Sequence, residues 1–236
     1  MIRIKLIITL LTVIVACGCA KPRHIKLPPV TEGWSKHSST INGYIVQKNE
    51  TLYSIAWAFG MDYRHLAKIN NLSPPYHLKY GQILKLNDRS RQVITKDQKN
   101  KTANQIDQPL AIISNLSGWI WPTNGKINST FGHNYNRGID IAGVIGQFIK
   151  ASNSGTVVYN GTGIKSYGKL IIIKHNDDYL SAYAYNQTSL VQEGSQVAAG
   201  QQIATMGKNN SGIAVLHFEI RKAGKPINPL VYLPKK

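Results

Sequence analysis

From Trp119 to the C-terminus no stretch keeps apolar residues at helical spacing long enough for a helix. Short alternating runs are separated by glycine instead, among them Gly138-Ile139-Asp140-Ile141-Ala142, Phe148 to Ala151 and Gly155 to Tyr159. Leu170-Ile171-Ile172-Ile173 faces Tyr179-Leu180-Ser181-Ala182-Tyr183 across Asn176-Asp177-Asp178, the pattern of a hairpin. Val215 to Ile220 and Pro226 to Tyr232 flank Ala223-Gly224 as two further strands. These runs predict a mainly antiparallel β domain over residues 118–236.

Residues 43–87 read differently. Tyr44 and Val46 alternate with polar neighbours as a strand, and Thr51 can cap a helix whose Leu52, Ile55, Ala56 and Phe59 recur at helical spacing. Gly60 stops that helix, Asp62 can cap a second carrying Tyr63, Leu66 and Ile69, and Asn70-Asn71 ends it. Gly81 to Leu86 closes the block as a strand, so the order is βααβ. Residues 17–42 mix Pro22, Pro28 and Pro29 with serines and basic residues and read as a tether. The polar stretch 88–117 reads as a linker, with Ile112, Ile113 and Leu116 able to pack on the β domain after it.

At the N-terminus Arg3 and Lys5 precede an apolar run from Leu6 to Ala16, too short for a spanning helix of about 20 residues. Residues 1–16 therefore read as a secretory signal. Its end, Ile14-Val15-Ala16-Cys17, resembles the lipobox of bacterial lipoproteins, which implies lipidation of Cys17 and removal of everything before it. Cys19 fits less well, since Ala16 would stand where a branched aliphatic residue is usual. An ordinary signal, or an uncleaved anchor with incidental cysteines, is the alternative. Gly18 stands after the lipidated position, where an Asp would resemble an inner-membrane retention signal; the resemblance implies the periplasmic face of the outer membrane.

The charge belongs in that compartment. With 28 Lys and Arg against 11 Asp and Glu the net charge is +17, which calls for an anionic partner: nucleic acid, a membrane surface or a carboxylate-rich polymer. Secretion conflicts with nucleic acid. The cysteines at 17 and 19 are the only two and make no disulfide scaffold, and 42% hydrophobic residues suffice for a core.

The small block resembles the LysM family through Tyr44-Ile45-Val46, Thr51 to Ala56, Asn70-Asn71-Leu72 and Gly81-Gln82-Ile83-Leu84. That resemblance implies binding of peptidoglycan glycan in a shallow groove between the loops Lys48–Leu52 and Ser73–Tyr80. Most motif residues are core; the candidate sugar contacts are Lys48, Asn49, Glu50, Thr51, Pro75, Tyr76 and Tyr80. Asn49-Glu50 stands where family members often carry Gly-Asp, and Asn tolerates the left-handed backbone a turn there needs.

The large block resembles the lysostaphin/LytM-type zinc metallopeptidases, a duplicated-hybrid-motif-like β fold, through residues 138–142, 155–158, 197–201 and 216–220. Active members cut peptidoglycan peptides, with zinc held by a His, an Asp four residues later and the second His of a His-x-His, plus two assisting histidines. Here Asp140 and His217 stand at two ligand positions. The first ligand position is Asn136, one assisting position is Tyr185, and the first member of His-x-His is Val215. Neither an amide nor an aliphatic group replaces imidazole, and two ligands leave zinc under-coordinated. His133 lies off the motif, and His175 is expected to be an exposed residue at a strand end. The resemblance thus implies no catalytic residue, no metal and no cofactor, with Asp140 and His217 retained as a hydrogen-bonded pair that organises a groove.

Signal, lipobox, LysM, linker and degenerate LytM domain together resemble the murein-hydrolase-activating lipoproteins. This implies a septal, non-enzymatic activator of a periplasmic N-acetylmuramoyl-L-alanine amidase of the AmiC type during daughter-cell separation. Asn136, Asp140, Tyr185, Val215 and His217 would form the docking cleft. An active zinc endopeptidase and a passive wall-to-membrane tether remain the alternatives.

Overall fold

A computed structural model describes residues 39–40, 43–87, 118–176 and 178–236. Cys17, the signal before it and the segment 88–117 lie outside the described residues. No described helix is long and apolar enough to cross a membrane.

The first module comprises β1 (Ser39–Thr40), β2 (Gly43–Ile45), α1 (Leu52–Phe59), α2 (Tyr63–Ile69) and β3 (Ile83–Leu84), with β2 paired antiparallel to both other strands. The end of the expected tether thus supplies β1, since backbone pairing to β2 requires no apolar periodicity. Thr51 starts α1 in extended backbone: its hydroxyl accepts from the Ser54 N–H while the Ser54 hydroxyl accepts from the Thr51 N–H, a reciprocal capping box. Gly60, at φ +63, closes the helix in the left-handed conformation that only a residue without Cβ adopts freely. Asp62 caps α2 by accepting from the Arg64 N–H. Both caps stand where the sequence places them.

The second module holds β4 (Ile127–Ser129), β5 (Ile139–Ala142), β6 (Phe148–Lys150), β7 (Gly155–Gly161), β8 (Leu170–Lys174), β9 (Tyr179–Ala184), β10 (Asn186–Ser189), β11 (Gln196–Val197), β12 (Gln202–Met206), β13 (Val215–Lys222) and β14 (Lys225–Ile227). The large sheet runs β11-β7-β8-β9-β13-β5-β4, with β14 paired to β13; β10-β12-β6 form a smaller sheet. Every pairing is antiparallel, and the predicted β8–β9 hairpin sets Ile171 opposite Tyr183. The strand read as Pro226 to Tyr232 is shorter. It stops at Ile227, where Asn228 caps a single 3₁₀ turn, Pro229–Val231, because Pro229 has no N–H to continue a ladder.

The two faces of the large sheet explain how the modules meet. One face packs Ile139, Ile171, Ile173, Leu216 and Phe218 against Ile149, Ile203 and Met206 of the smaller sheet. The other carries Val158, Leu170, Ile172, Leu180, Ala182 and Ala184, which form one cluster with Leu52, Ile55 and Trp57 of α1. Leu170 to Ile173 is apolar at four consecutive positions, so β8 is a strand that must be covered on both sides. The βααβ module covers the second. Two blocks that read as independent in sequence therefore share a core.

Polar and backbone contacts fix the junction. The Thr51 hydroxyl donates to the Val158 carbonyl at 3.1 Å, and Arg64 pairs with Asp178 at 3.0 Å. Gly224, at φ +78 in the β13–β14 turn, lies so close that a Cβ there would fall 2.3 Å from the Met61 carbonyl carbon.

Candidate functional site

The site grows from one strand. Along β13, Leu216, Phe218 and Ile220 point into the core while His217, Glu219 and Arg221 occupy the opposite face. Asp140 of β5 sits directly across from His217, and Ala184 of β9 flanks it on the other side. The two strands approach tightly at Gly138, where a Cβ would lie 2.1 Å from the Phe218 carbonyl oxygen.

These side chains make a continuous row. His217 Nδ1 lies 2.7 Å from Asp140 Oδ1, and its Nε2 lies 3.1 Å from Glu219 Oε1. Arg221 donates to Glu219 Oε2 through Nε at 3.0 Å and pairs through Nη2 at 2.9 Å. The Tyr167 hydroxyl also donates to Glu219. Arg221 Nη1 donates to the Trp57 carbonyl at 2.6 Å, and the guanidinium lies 3.5 Å from the Trp57 ring centroid, a cation–π contact. The row thus begins at Asp140 and ends on α1 of the first module.

Electrostatics hold the row charged. Burial alone would pull the His217 imidazole down, but hydrogen bonds to Asp140 and Glu219 and the charges of both carboxylates lift it to about 9. Burial would likewise push the Glu219 carboxyl up, and the Arg221 charge and the His217 hydrogen bond overcome it to hold Glu219 at about 2. An imidazolium donating from both nitrogens to two carboxylates is the consistent assignment.

The zinc question turns on the residues around that pair. A catalytic zinc needs three protein ligands, and Asp140 and His217 supply two. Asn136 does not replace the missing imidazole: its Nδ2 donates to Ser129 Oγ at 3.0 Å, and its Oδ1 accepts from the Gly138 N–H at 2.9 Å, closing its own turn. Val215 is buried and aliphatic. Tyr185 has a left-handed backbone at φ +64, and its hydroxyl donates to the Ser166 carbonyl at 3.1 Å. Burial first, then the negative charges of Asp140 and Glu219, raises the Tyr185 phenol and keeps it protonated. His133 is exposed on a 3₁₀ turn. Among the described residues no three His, Cys, Asp or Glu side chains are grouped to hold a metal ion. The residues do not fit a catalytic zinc.

Of the five cleft positions read from sequence, Asp140 and His217 are bonded directly. Tyr185 places its ring centroid 6.2 Å from that of His217. Sequence reading missed Glu219, Arg221, Tyr167 and Trp57. Three ionisable residues at 217, 219 and 221, alternating with three apolar ones, were the available signal for two of them. His175 is a correction. It is half-buried against Trp119, with Nδ1 2.7 Å from the Ser154 carbonyl and Nε2 2.7 Å from Ser181 Oγ, and burial holds it down at about 4. It is a neutral structural group, because Trp119 packs edge-on against its ring at the end of β8.

The groove loops of the first module divide by role. Lys48, Asn49, Pro75 and Tyr80 are exposed, Asn49 in the left-handed backbone at φ +62. Glu50 folds back to accept from the Tyr44 hydroxyl at 2.7 Å and the Gln47 N–H at 2.8 Å, and Thr51 is spent on capping α1. Tyr76 packs edge-on against Tyr53 and Tyr63.

Comparison with known proteins places these features. The LysM domain model matches residues 44–87 and the peptidase family M23 model matches residues 134–229, which contain every cleft position. The chain is 37% identical to a lipoprotein NlpD/LppB homolog of Pseudomonas aeruginosa, across 91% of this chain and 82% of that one. It is 39% identical to the murein hydrolase activator NlpD of Escherichia coli K12, across 85% of this chain and 70% of that one. It is also 39% identical to the uncharacterized lipoprotein YgeR of the same organism, across 85% of each.

Proposed function

The chain belongs to the NlpD-like lipoproteins, which join a LysM domain to a peptidase family M23 domain, and from that premise we propose a non-catalytic activator of a murein hydrolase. The partner in this reading is a periplasmic N-acetylmuramoyl-L-alanine amidase acting on septal peptidoglycan. Lipid at Cys17 holds the chain to the outer membrane, and the LysM groove holds it to the wall. The observation that carries the reading is the shortage of ligands beside Asp140 and His217: the Asn136 amide is spent on Ser129 and Gly138 and Val215 is aliphatic, so the three protein ligands of a water-activating zinc are not assembled. Such a cleft is a fixed polar surface for a protein to rest on.

The cleft rim suits that use. Exposed apolar side chains stand on the segments that flank the Asp140–His217 pair: Tyr135 ahead of β5, Val144 behind it and Ile213 ahead of β13. Exposed Lys126 and Lys208 and half-buried Arg137 add positive charge to those segments. A partner that meets this surface only in its open, active state is shifted toward that state by its difference in affinity for the two.

The test uses the mature full chain, because the modules share a core. Dye release from labelled peptidoglycan is measured with the chain alone, amidase alone and both together. The expected result is no release by the chain alone and release by the pair well above that of the amidase. Release by the chain alone makes it an endopeptidase; a pair no faster than the amidase leaves only the tether.

A further inference from the structure

We infer that the LysM module is a structural wall of the cleft, and that its Trp57 is a positioning residue for His217 in the other module. His217 is oriented by two carboxylates, and of these Glu219 has no solvent exposure. Glu219 is in turn held by Arg221, itself only 1% exposed. A buried guanidinium needs its charge balanced and its donors used. Nε and Nη2 are used on Glu219; Nη1 is used on the Trp57 carbonyl, and the planar face on the Trp57 ring. Without the LysM module the last donor and the stacked face open to water. Arg221 is then free to swing out, Glu219 loses its fixed partner, and the His217 ring keeps only Asp140.

Three further observations show that the docking is built in. The sheet face beside Arg221 presents Leu180, Ala182, Ile172 and Val158, apolar area that shares one buried cluster with α1. Thr51, the cap of α1, is fastened to Val158, so the helix is held at its start as well as near its end. Gly224 admits the Met61–Asp62 backbone at a distance that excludes any side chain. The groove loop 48–52 and the cleft are therefore joined through α1, and the cleft is incomplete in the second module alone.

This inference does not depend on the amidase, and its test involves none. A protease site is placed within residues 88–117 of the mature chain, the chain is cleaved, and the pieces are examined by gel filtration and by NMR of the histidine ring N–H protons. The wild-type pieces are expected to co-elute, with the His217 Nε2–H signal protected from exchange. Gly224→Asn is the breaking variant. Asn accepts the left-handed turn, so the β13–β14 hairpin is kept, while its side chain meets the Met61–Asp62 backbone. Association is expected to weaken at least about tenfold, the pieces to separate, and the Nε2–H signal to be lost to exchange. Trp57→Phe retains the carbonyl and a stacking ring, and is expected to keep both co-elution and signal. Wild-type pieces that separate, Gly224→Asn pieces that stay together, or a His217 signal that survives separation would each overturn the inference.

Discussion

The two ends of β13 put one row of side chains in opposite environments. At the cleft end His217 is 13% exposed, its partner Asp140 is 28% exposed, and the neighbouring position is an aliphatic Val215. At the module end Glu219 and Arg221 are sealed, and both tie into other elements through Tyr167 and Trp57. The difference teaches that chemistry and architecture separate along a single strand. The open end is one hydrogen-bonded pair beside an aliphatic neighbour, partly open to solvent. At the closed end each polar group supports the next.

Breaking the closed end gives the largest expected effect. Glu219→Ala strands the Arg221 charge and removes the acceptor of Tyr167, and loss of one partner of a buried ion pair costs about 3–5 kcal/mol. Urea unfolding of the mature chain measures it; a loss below about 1 kcal/mol would mean that the closed end is no more constrained than the open one.

A second effect separates the ends by pH. His217 sits above its ordinary 6.5, at about 9, so its contribution is complete below 6.5 and is lost as pH rises through about 9. Glu219 sits below its ordinary 4.5, at about 2, so its contribution is complete above 4.5 and is lost as pH falls toward about 2. The row contributes most between 4.5 and 6.5. Asp140→Asn is expected to shrink the alkaline loss of urea midpoint and spare the acid one; equal changes on both sides would show that the ends are not separable.

The smallest effect lies at the far attachment of α1. Thr51→Ala removes a helix cap and the hydrogen bond to Val158, about 1–2 kcal/mol together. The expected result is a single, earlier unfolding transition for both modules. Two separated transitions would show that the shared core is not cooperative.

How much of this was legible depends on the kind of signal. Thr51, Gly60 and Asp62 mark helix ends through local chemistry, and the structure puts each at a cap. The four apolar residues of β8 announce a strand buried on both faces, though not what lies over the second. That cover was hidden because its anchor is Arg221, a residue type that sequence reasoning assigns to solvent. His175 was misplaced for a related reason: being next to a turn suggests exposure, while Trp119, far off in sequence, buries it. Of the cleft, the Asp140–His217 pair was readable from motif position. The Glu219–Arg221–Trp57 continuation needed the packing of two modules.

The most direct measurement records the histidine ring N–H protons of the full mature chain while zinc is added past stoichiometry, with bound metal measured on the same sample. Both His217 ring protons are expected to remain in place, with no stoichiometric zinc retained, because each nitrogen lies against a carboxylate and neither Asn136 nor Val215 offers the further ligand a zinc needs. Loss of either proton together with one equivalent of tightly held zinc would contradict a metal-free cleft.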